Sequence, residues 1–279
     1  MKFELKKLVE LALAEDIGTG DITAQLIPKD KQGQAVILAK EAAVVCGIEY
    51  VNEVIRQVDT TIEIKWLVQE GGYQKKPCDW AILRGPLRSI LTVERTALNF
   101  LQTLSAIATK TRSYVSWVQG SKTKILDTRK TIPGLRYPEK YAVRCGGGNN
   151  HRMGLYDEFL IKENHIEAMG SISKAIEAAQ KLHADKPIVV EVQNILEFKE
   201  ARKYPVTRIM LDNFSDEMIE ETVAENQNPQ RVIEVSGGID EKRIQKLVAL
   251  GVDCISIGDL TKSIRAIDLS LLVRDESNG

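Results

Sequence analysis

Residues 232–260, VIEVSGGIDEKRIQKLVALGVDCISIGDL, decide the fold. An apolar run, VIEV, stops at a serine and two glycines. The segment EKRIQKLVAL follows at helical spacing, and a second apolar run, CISI, ends on another glycine. A short apolar strand, a helix and a second strand make one parallel β/α unit. The same rhythm extends upstream. The runs KILDTRKT (124–131), EFLIKENH (158–165), IVVEVQN (188–194) and RIMLDNF (208–214) are strand-like, and ISKAIEAAQKLHAD (172–185) and DEMIEETVAENQ (216–227) have helical periodicity.

Polar residues fall at the ends of these runs: Asp127, Thr128 and Arg129; Lys162; Glu191; Asp212; Ser236 to Gly238; Ser256 and Gly258. In a β/α barrel the C-terminal strand ends meet on one face and build the active site there. Each position alone reads as an ordinary strand-end residue. Six in succession point to a shared site.

Residues 1 to about 100 have another texture. A helix-like start (KKLVELALAED) gives way to the strand-like pieces AVILAKEAAVVCG, TTIEIKWLVQEGG and DWAILRGP, whose alternation suggests a half-exposed sheet. RSILTVERTALNFLQTLSAIATKTRSYVSWV then reads as one or two long amphipathic helices. The expected division is an N-terminal domain over 1–104 and a catalytic domain over 105–264, with 265–279 packing back on the first.

Composition bounds the function. The chain has 279 residues, 43% hydrophobic and 28% charged, with 38 Lys plus Arg against 39 Asp plus Glu and a net charge of -1. That balance argues against a general nucleic-acid binder. The N-terminus mixes charge into its apolar residues, unlike a signal peptide, and no apolar run suits a membrane span. Cys46, Cys78, Cys145 and Cys254 are far apart, so neither a zinc site nor a disulfide framework is expected. A cytoplasmic enzyme is the expectation.

The two consecutive glycine loops at the end of the series suit a phosphate held by backbone N–H groups and a helix N-terminus. Neither is a Walker loop or a dinucleotide fingerprint. Arg129, Lys130, Arg136, Lys140, Arg144 and Arg152 crowd one span, with Lys162 after it, which suits a polyanionic ligand. Glu191 and Asp212 facing such loops suit magnesium, which binds through one or two carboxylates plus substrate phosphates. Pairing of these charges with each other is the alternative. His151 and His165 match no zinc spacing and are left as acid/base candidates; His183 is read as a surface residue. Within VRCGGGNNHRMG (143–154) the glycines make order costly unless the backbone turns tightly, and the expectation is that they present His151 and Arg152 to the ligand.

The chain resembles the quinolinate phosphoribosyltransferases, a type II phosphoribosyltransferase family. The resemblance lies in ALAEDIGTGDITAQLIP, ERTALNFLQTLS, the block from KILDTRKT through GGGNNHRMGL to IKENHI, and then VVEVQN, IMLDNF, EVSGGI and ISIGDLTKS, in that order from near residue 11 to near residue 263. It implies an α/β fold, an N-terminal α/β sandwich followed by an incomplete, TIM-like β/α barrel. It further implies transfer of phosphoribosyl from phosphoribosyl pyrophosphate to quinolinate with loss of CO2, in NAD biosynthesis. By the same resemblance, Arg95, Arg129, Lys130, His151, Arg152 and Lys162 would surround quinolinate, and Thr128 would be a further substrate contact. Glu191 and Asp212 would hold Mg2+ and the ribose hydroxyls. Ser236, Gly237 and Gly238, with Ser256, Ile257 and Gly258, would bind the 5′-phosphate. Lys130, Lys162, Glu191 and Asp212 are the implied catalytic set. Arg95 would serve the neighbouring subunit's site, which implies a homodimer, with a higher oligomer left open.

Two positions depart from the family pattern. Asp259 stands where a small residue is common, so its carboxylate either repels a phosphate or turns away. Gln193 stands where an acid is common. The rivals are a paralogue associated with molybdenum transport operons, which the intact NNHR and IKENH segments disfavour, and a non-catalytic anion-binding protein, which would gain nothing from Glu191 and Asp212.

Overall fold

The computed structural model describes residues 2–274, and the expectation for residues 275–279 lies outside them. The chain divides into two compact units, one of residues up to Lys110 with the segment from Ile264, the other Thr111–Ser263. Residue 104, where the sequence places the division, and residue 110 both lie within one continuous helix over 87–116.

In the first unit, helix α1 (Lys2–Ile17) precedes β1 (Gln32–Ala39), β2 (Ala43–Val44), α2 (Ile48–Val58), β3 (Glu63–Trp66), β4 (Tyr73–Gln74) and β5 (Cys78–Pro86). Helix α3 (Leu87–Ser116) then leaves this unit for the second. β12 (Leu269–Arg274) returns from the chain's end to pair antiparallel with β1. The resulting four-stranded sheet runs β12-β1-β5-β3. Burial along β1 alternates only partly, and Val36, Ile37, Trp80 and Leu83 are all buried.

The second unit holds a parallel sheet in the order β6-β11-β10-β9-β8-β7. Its strands are β6 (Lys124–Leu126), β7 (Phe159–Ile161), β8 (Ile188–Val192), β9 (Arg208–Asp212), β10 (Val232–Ser236) and β11 (Cys254–Ser256). Between them lie α4 (Arg136–Cys145), α5 (Glu163–Met169), α6 (Ile172–Leu182), α7 (Ile195–Ala201), α8 (Asp216–Glu225), α9 (Glu241–Leu250) and α10 (Asp259–Lys262). β6 and β7 are the two ends of the sheet and do not pair, so the barrel is incomplete, as expected. Four of the helices start on a side-chain cap: Ser171, Asn194, Ser215 and Asp240 each accept from the amide three residues on. β8 is buried along its whole length, the pattern of a parallel strand covered on both faces.

Register completes the arrangement. Ser236 lies opposite Asp212, Ser256 opposite Leu126, and Ile161 opposite Val190. Parallel strands in step carry their polar C-terminal residues to one end of the sheet.

Candidate active site

At that end the second unit opens a cavity of about 800 Å³. Thr128, Arg129, Lys130, His151, Arg152, Lys162, Glu191, Asp212, Ser236, Gly237, Gly238, Ser256, Ile257 and Gly258 all line it. Arg95 is not among them. It belongs to the first unit, where it lines a smaller cavity with Asp16, Asp21 and Glu94.

The cationic wall is built on a buried ion pair. Asp127 and Lys140 are both fully buried and bond to each other. Asp127 also accepts from the His151 amide at 2.8 Å and from the Asn150 side chain, while Lys140 donates to the His151 carbonyl at 2.9 Å. Two charges that would be very costly alone thus hold residues 150–151 against the end of β6. Gly147 and Gly148 make the turn that leads there. Gly147 has φ +87°, and a Cβ on Gly148 would meet Thr111 at 2.7 Å and Val143 at 2.8 Å. The turn brings Asn149 into a parallel bridge with Leu126.

The clustered cations separate into two sets. Lys140 is consumed by Asp127, Arg136 bonds to the Thr131 hydroxyl and the carbonyls of Met153 and Arg129, and Arg144 bonds to Asn150. These three brace the loop and do not line the cavity, whereas Arg129, Lys130 and Arg152 do. Sequence spacing could not separate them because residues 136–145 form a helix, α4, whose faces point different ways. Arg129 and Arg152 are the pair that faces the cavity. Burial holds the Arg152 guanidinium below its usual range, and the neighbouring Arg129 charge adds to that. The Nε atoms of both are buried without a protein partner among the described residues. Two crowded guanidinium groups with unmet donors fit a ligand bearing two acidic groups.

Elsewhere in the lining, Lys162 Nζ donates to Glu191 Oε2 at 2.6 Å. Asp212 is held at both oxygens, by the Ser236 hydroxyl at 3.0 Å and the Asn213 side-chain amide at 3.1 Å. Asn213 takes the left-handed φ of +56°, unusual for a residue with a side chain. Gly237 follows with φ +92°, and a Cβ there would lie 2.7 Å from the Asn213 carbonyl oxygen Oδ1. The 236–238 loop lies before α9, and the 256–258 loop before α10. Lys130 is steadied by Thr261, whose hydroxyl donates to its carbonyl at 2.8 Å.

These features have a counterpart in known proteins. The C-terminal domain of quinolinate phosphoribosyl transferase, as a family model, matches residues 107–272, and the N-terminal domain matches 21–105. The chain belongs to the quinolinate phosphoribosyl transferase family. A solved nicotinate-nucleotide pyrophosphorylase from Francisella tularensis shares 47% identity and a TM-score of 0.93, over 98% of this chain and 97% of that one. A Nicotiana tabacum protein named quinolinate phosphoribosyltransferase [decarboxylating] 1b is 37% identical, over 98% of this chain and 83% of its own length. A Bacillus subtilis (strain 168) protein named probable nicotinate-nucleotide pyrophosphorylase [carboxylating] is 38% identical, over 96% and 93% respectively.

Within this family framework several further residues take definite places. His165 accepts the Lys162 amide through Nδ1 at 3.1 Å, so it caps α5. His183 is exposed, as read. Asp259 lines the cavity, and the Tyr114 hydroxyl donates to its Oδ2 at 3.5 Å. Gln193 donates to Glu163 Oε2 at 2.7 Å. Glu158, Arg208 and Glu234 form a charged cluster around His151 that was missed altogether. A signal existed: Glu234 interrupts the apolar run VIEV, as Glu191 interrupts IVVEV.

Proposed function

We propose that this protein transfers the phosphoribosyl group of phosphoribosyl pyrophosphate to quinolinate with decarboxylation, giving nicotinate mononucleotide, pyrophosphate and CO2. The observation that carries the reading is one cavity with two faces, a pair of under-bonded arginines beside His151, and a pair of carboxylates beside two glycine loops. Arg129 and Arg152 grip the two carboxylates of the pyridine acid, and Lys130 adds a point charge. Backbone N–H groups of 236–238 and 256–258 receive the 5′-phosphate. Glu191 and Asp212 face the ribose, where positive charge develops as pyrophosphate leaves. The pyridine nitrogen attacks that carbon. The bond from the adjacent ring carbon to its carboxylate then breaks, and CO2 leaves. The electron pair stays on that ring carbon, stabilised by the neighbouring pyridinium, until it takes a proton from water. Positioning and electrostatics do the work, and no cysteine lines the cavity among the described residues.

Magnesium fits these residues as a companion of the pyrophosphate. Two carboxylates on one wall match an ion that keeps waters and substrate phosphates among its ligands. Asp212 would hold it, with Glu191 released from Lys162 as the second carboxylate. When bound, the ion offsets the charge of the leaving pyrophosphate.

Arg95 lies outside the cavity, which supports a homodimer in which it reaches the site of a second copy. No described helix is long and apolar enough to cross a membrane, and a cytoplasmic setting suits the substrates. The direct test is CO2 release from carboxyl-labelled quinolinate with phosphoribosyl pyrophosphate, with and without a chelator. Release requiring the co-substrate and abolished by the chelator is expected. Absence of release from folded protein overturns the reading.

A further inference from the structure

His151 lies between two carboxylates. Its Nδ1 is 3.2 Å from Glu158 Oε1, and its Nε2 is 3.6 Å from Glu234 Oε1. Neither of these carboxylate oxygens has a hydrogen-bond partner among the described residues, and the imidazole is only 6% exposed. The backbone N–H of Arg152 donates to Nδ1 at 2.7 Å, so that nitrogen carries a lone pair and the ring proton sits on Nε2, toward Glu234. An ionised Glu158 would aim a second lone pair at Nδ1 in a site with little water. One proton on Glu158 turns the same contact into an O–H donor facing a nitrogen acceptor.

We propose that Glu158 stores a proton for His151 and passes it to Nδ1 when an anionic substrate enters the cavity. The proposal rests on the quinolinate reading. The O–H bond of Glu158 Oε1 breaks and an N–H bond forms at His151 Nδ1, leaving a carboxylate and an imidazolium. The Arg152 N–H loses its acceptor in the same step and becomes a free donor beside the ligand. No proton is drawn from solvent, and no electrons change hands.

The surroundings set the direction. Burial raises the Glu158 carboxyl above its ordinary range, and the negative charges of Glu234 and Asp157 reinforce this against Arg208 and Arg152. Burial first, then the cations Arg208, Lys140, Arg152 and Lys162, push His151 down to about 3. These opposite directions favour Glu158 over the imidazole as the holder of a proton shared between the two, in keeping with the facing lone pairs. Arg208 from β9 is itself bound to Glu234 Oε2 at 2.7 Å, and Asp127 holds the His151 amide from the other side. A dianion between Arg152 and Lys162 cancels the cations that disfavour imidazolium, and Glu158, left as a carboxylate, stabilises it. Glu158 is thus a positioning residue, acting on the substrate through His151.

The experiment is calorimetric titration of quinolinate into wild-type protein and the Glu158→Gln variant, each in two buffers of different ionisation enthalpy. Wild type should bind with close to zero net proton uptake and an affinity nearly flat above neutral pH. Glu158→Gln cannot supply the proton, so its affinity should fall by about tenfold per pH unit over that range, with uptake of about one proton. Equal uptake and equal slopes in the two proteins overturn the proposal. A second readout needs no variant: with nitrogen-15 histidine, the Nδ1 resonance of His151 should move from acceptor to protonated position on saturation with quinolinate. A resonance that stays at the acceptor position overturns the proposal even if the variant fails to fold. If quinolinate binds neither protein, the reading of the cavity falls, and this proposal with it.

Discussion

Lys162 Nζ and Glu191 Oε2 lie 2.6 Å apart, joining the residue after β7 to the penultimate residue of its neighbour β8. The Glu191 side chain is 8% exposed, whereas Lys162 is 43% exposed and can reach a ligand. The pair keeps a buried carboxylate compensated until substrate competes for the ammonium.

Lys162→Met should leave Glu191 without its partner and lower kcat/KM by about 100-fold or more, the scale of removing one electrostatic contact at a reacting centre. Glu191→Gln alone should also be severe. In the double variant the losses should fall well short of additive, because each single change already breaks the pair. Steady-state CO2 release checks this, and strict additivity would show that the two act separately.

Arg129→Lys and Arg152→Lys keep charge and lose the planar fork. Each should raise KM for quinolinate by about 10-fold to 100-fold while KM for phosphoribosyl pyrophosphate stays within about twofold. Equal rises in both constants would place these arginines elsewhere in the reaction.

Asp259 and Tyr114 make a prediction particular to this chain. The tyrosine hydroxyl holds the carboxylate at 3.5 Å beside the second glycine loop. Tyr114→Phe should let that charge approach the phosphate and raise KM for phosphoribosyl pyrophosphate by about fivefold, the equivalent of ~1 kcal/mol. Asp259→Ala should abolish the effect in the double variant. A Tyr114→Phe variant with unchanged KM would show that the loop excludes Asp259 by itself.

Glu139 governs a pH dependence of stability. It is fully buried in α4, near the Ile132 amide at 3.3 Å, and burial pushes its carboxyl up to about 7 from 4.5. The folded chain therefore keeps a proton that the unfolded chain loses. This contribution is complete below pH 4.5 and is lost as pH rises toward 7. The slope is at most about 1.4 kcal/mol per pH unit. Glu139→Gln should flatten that part of the denaturant-derived stability profile and leave the variant more stable than wild type at alkaline pH. An unchanged profile would show that Glu139 ionises normally.

Gly148→Ala should destabilise the turn after α4 by about 1–3 kcal/mol, the usual cost of forcing a methyl into packed atoms. The added carbon would meet Thr111 and Val143, both under 3.0 Å away. Activity should fall with it, since the same turn sets Asn149 to His151 against β6. Circular dichroism and CO2 release measured together would check the coupling, and full activity at wild-type stability would remove the glycine from the argument.

The sequence by itself determined the strand–helix alternation and the family. Those signals are local: apolar period and long motifs. It also placed polar residues at six strand ends, and parallel pairing in register necessarily carries such ends to one face. Only the tertiary structure decided which charges face the cavity and which face each other. Arg129, Lys140 and Arg152 look alike along the chain. Lys140 is withdrawn because α4 turns it inward onto Asp127, and the surrounding protein excludes the water that would otherwise hydrate both. Glu158 and Glu234 come to His151 from different elements, one before β7 and one within β10, a meeting with no period or spacing to announce it. Opposite charges pair by proximity in three dimensions, and that proximity is set by how the strands stack, not by their order in the chain.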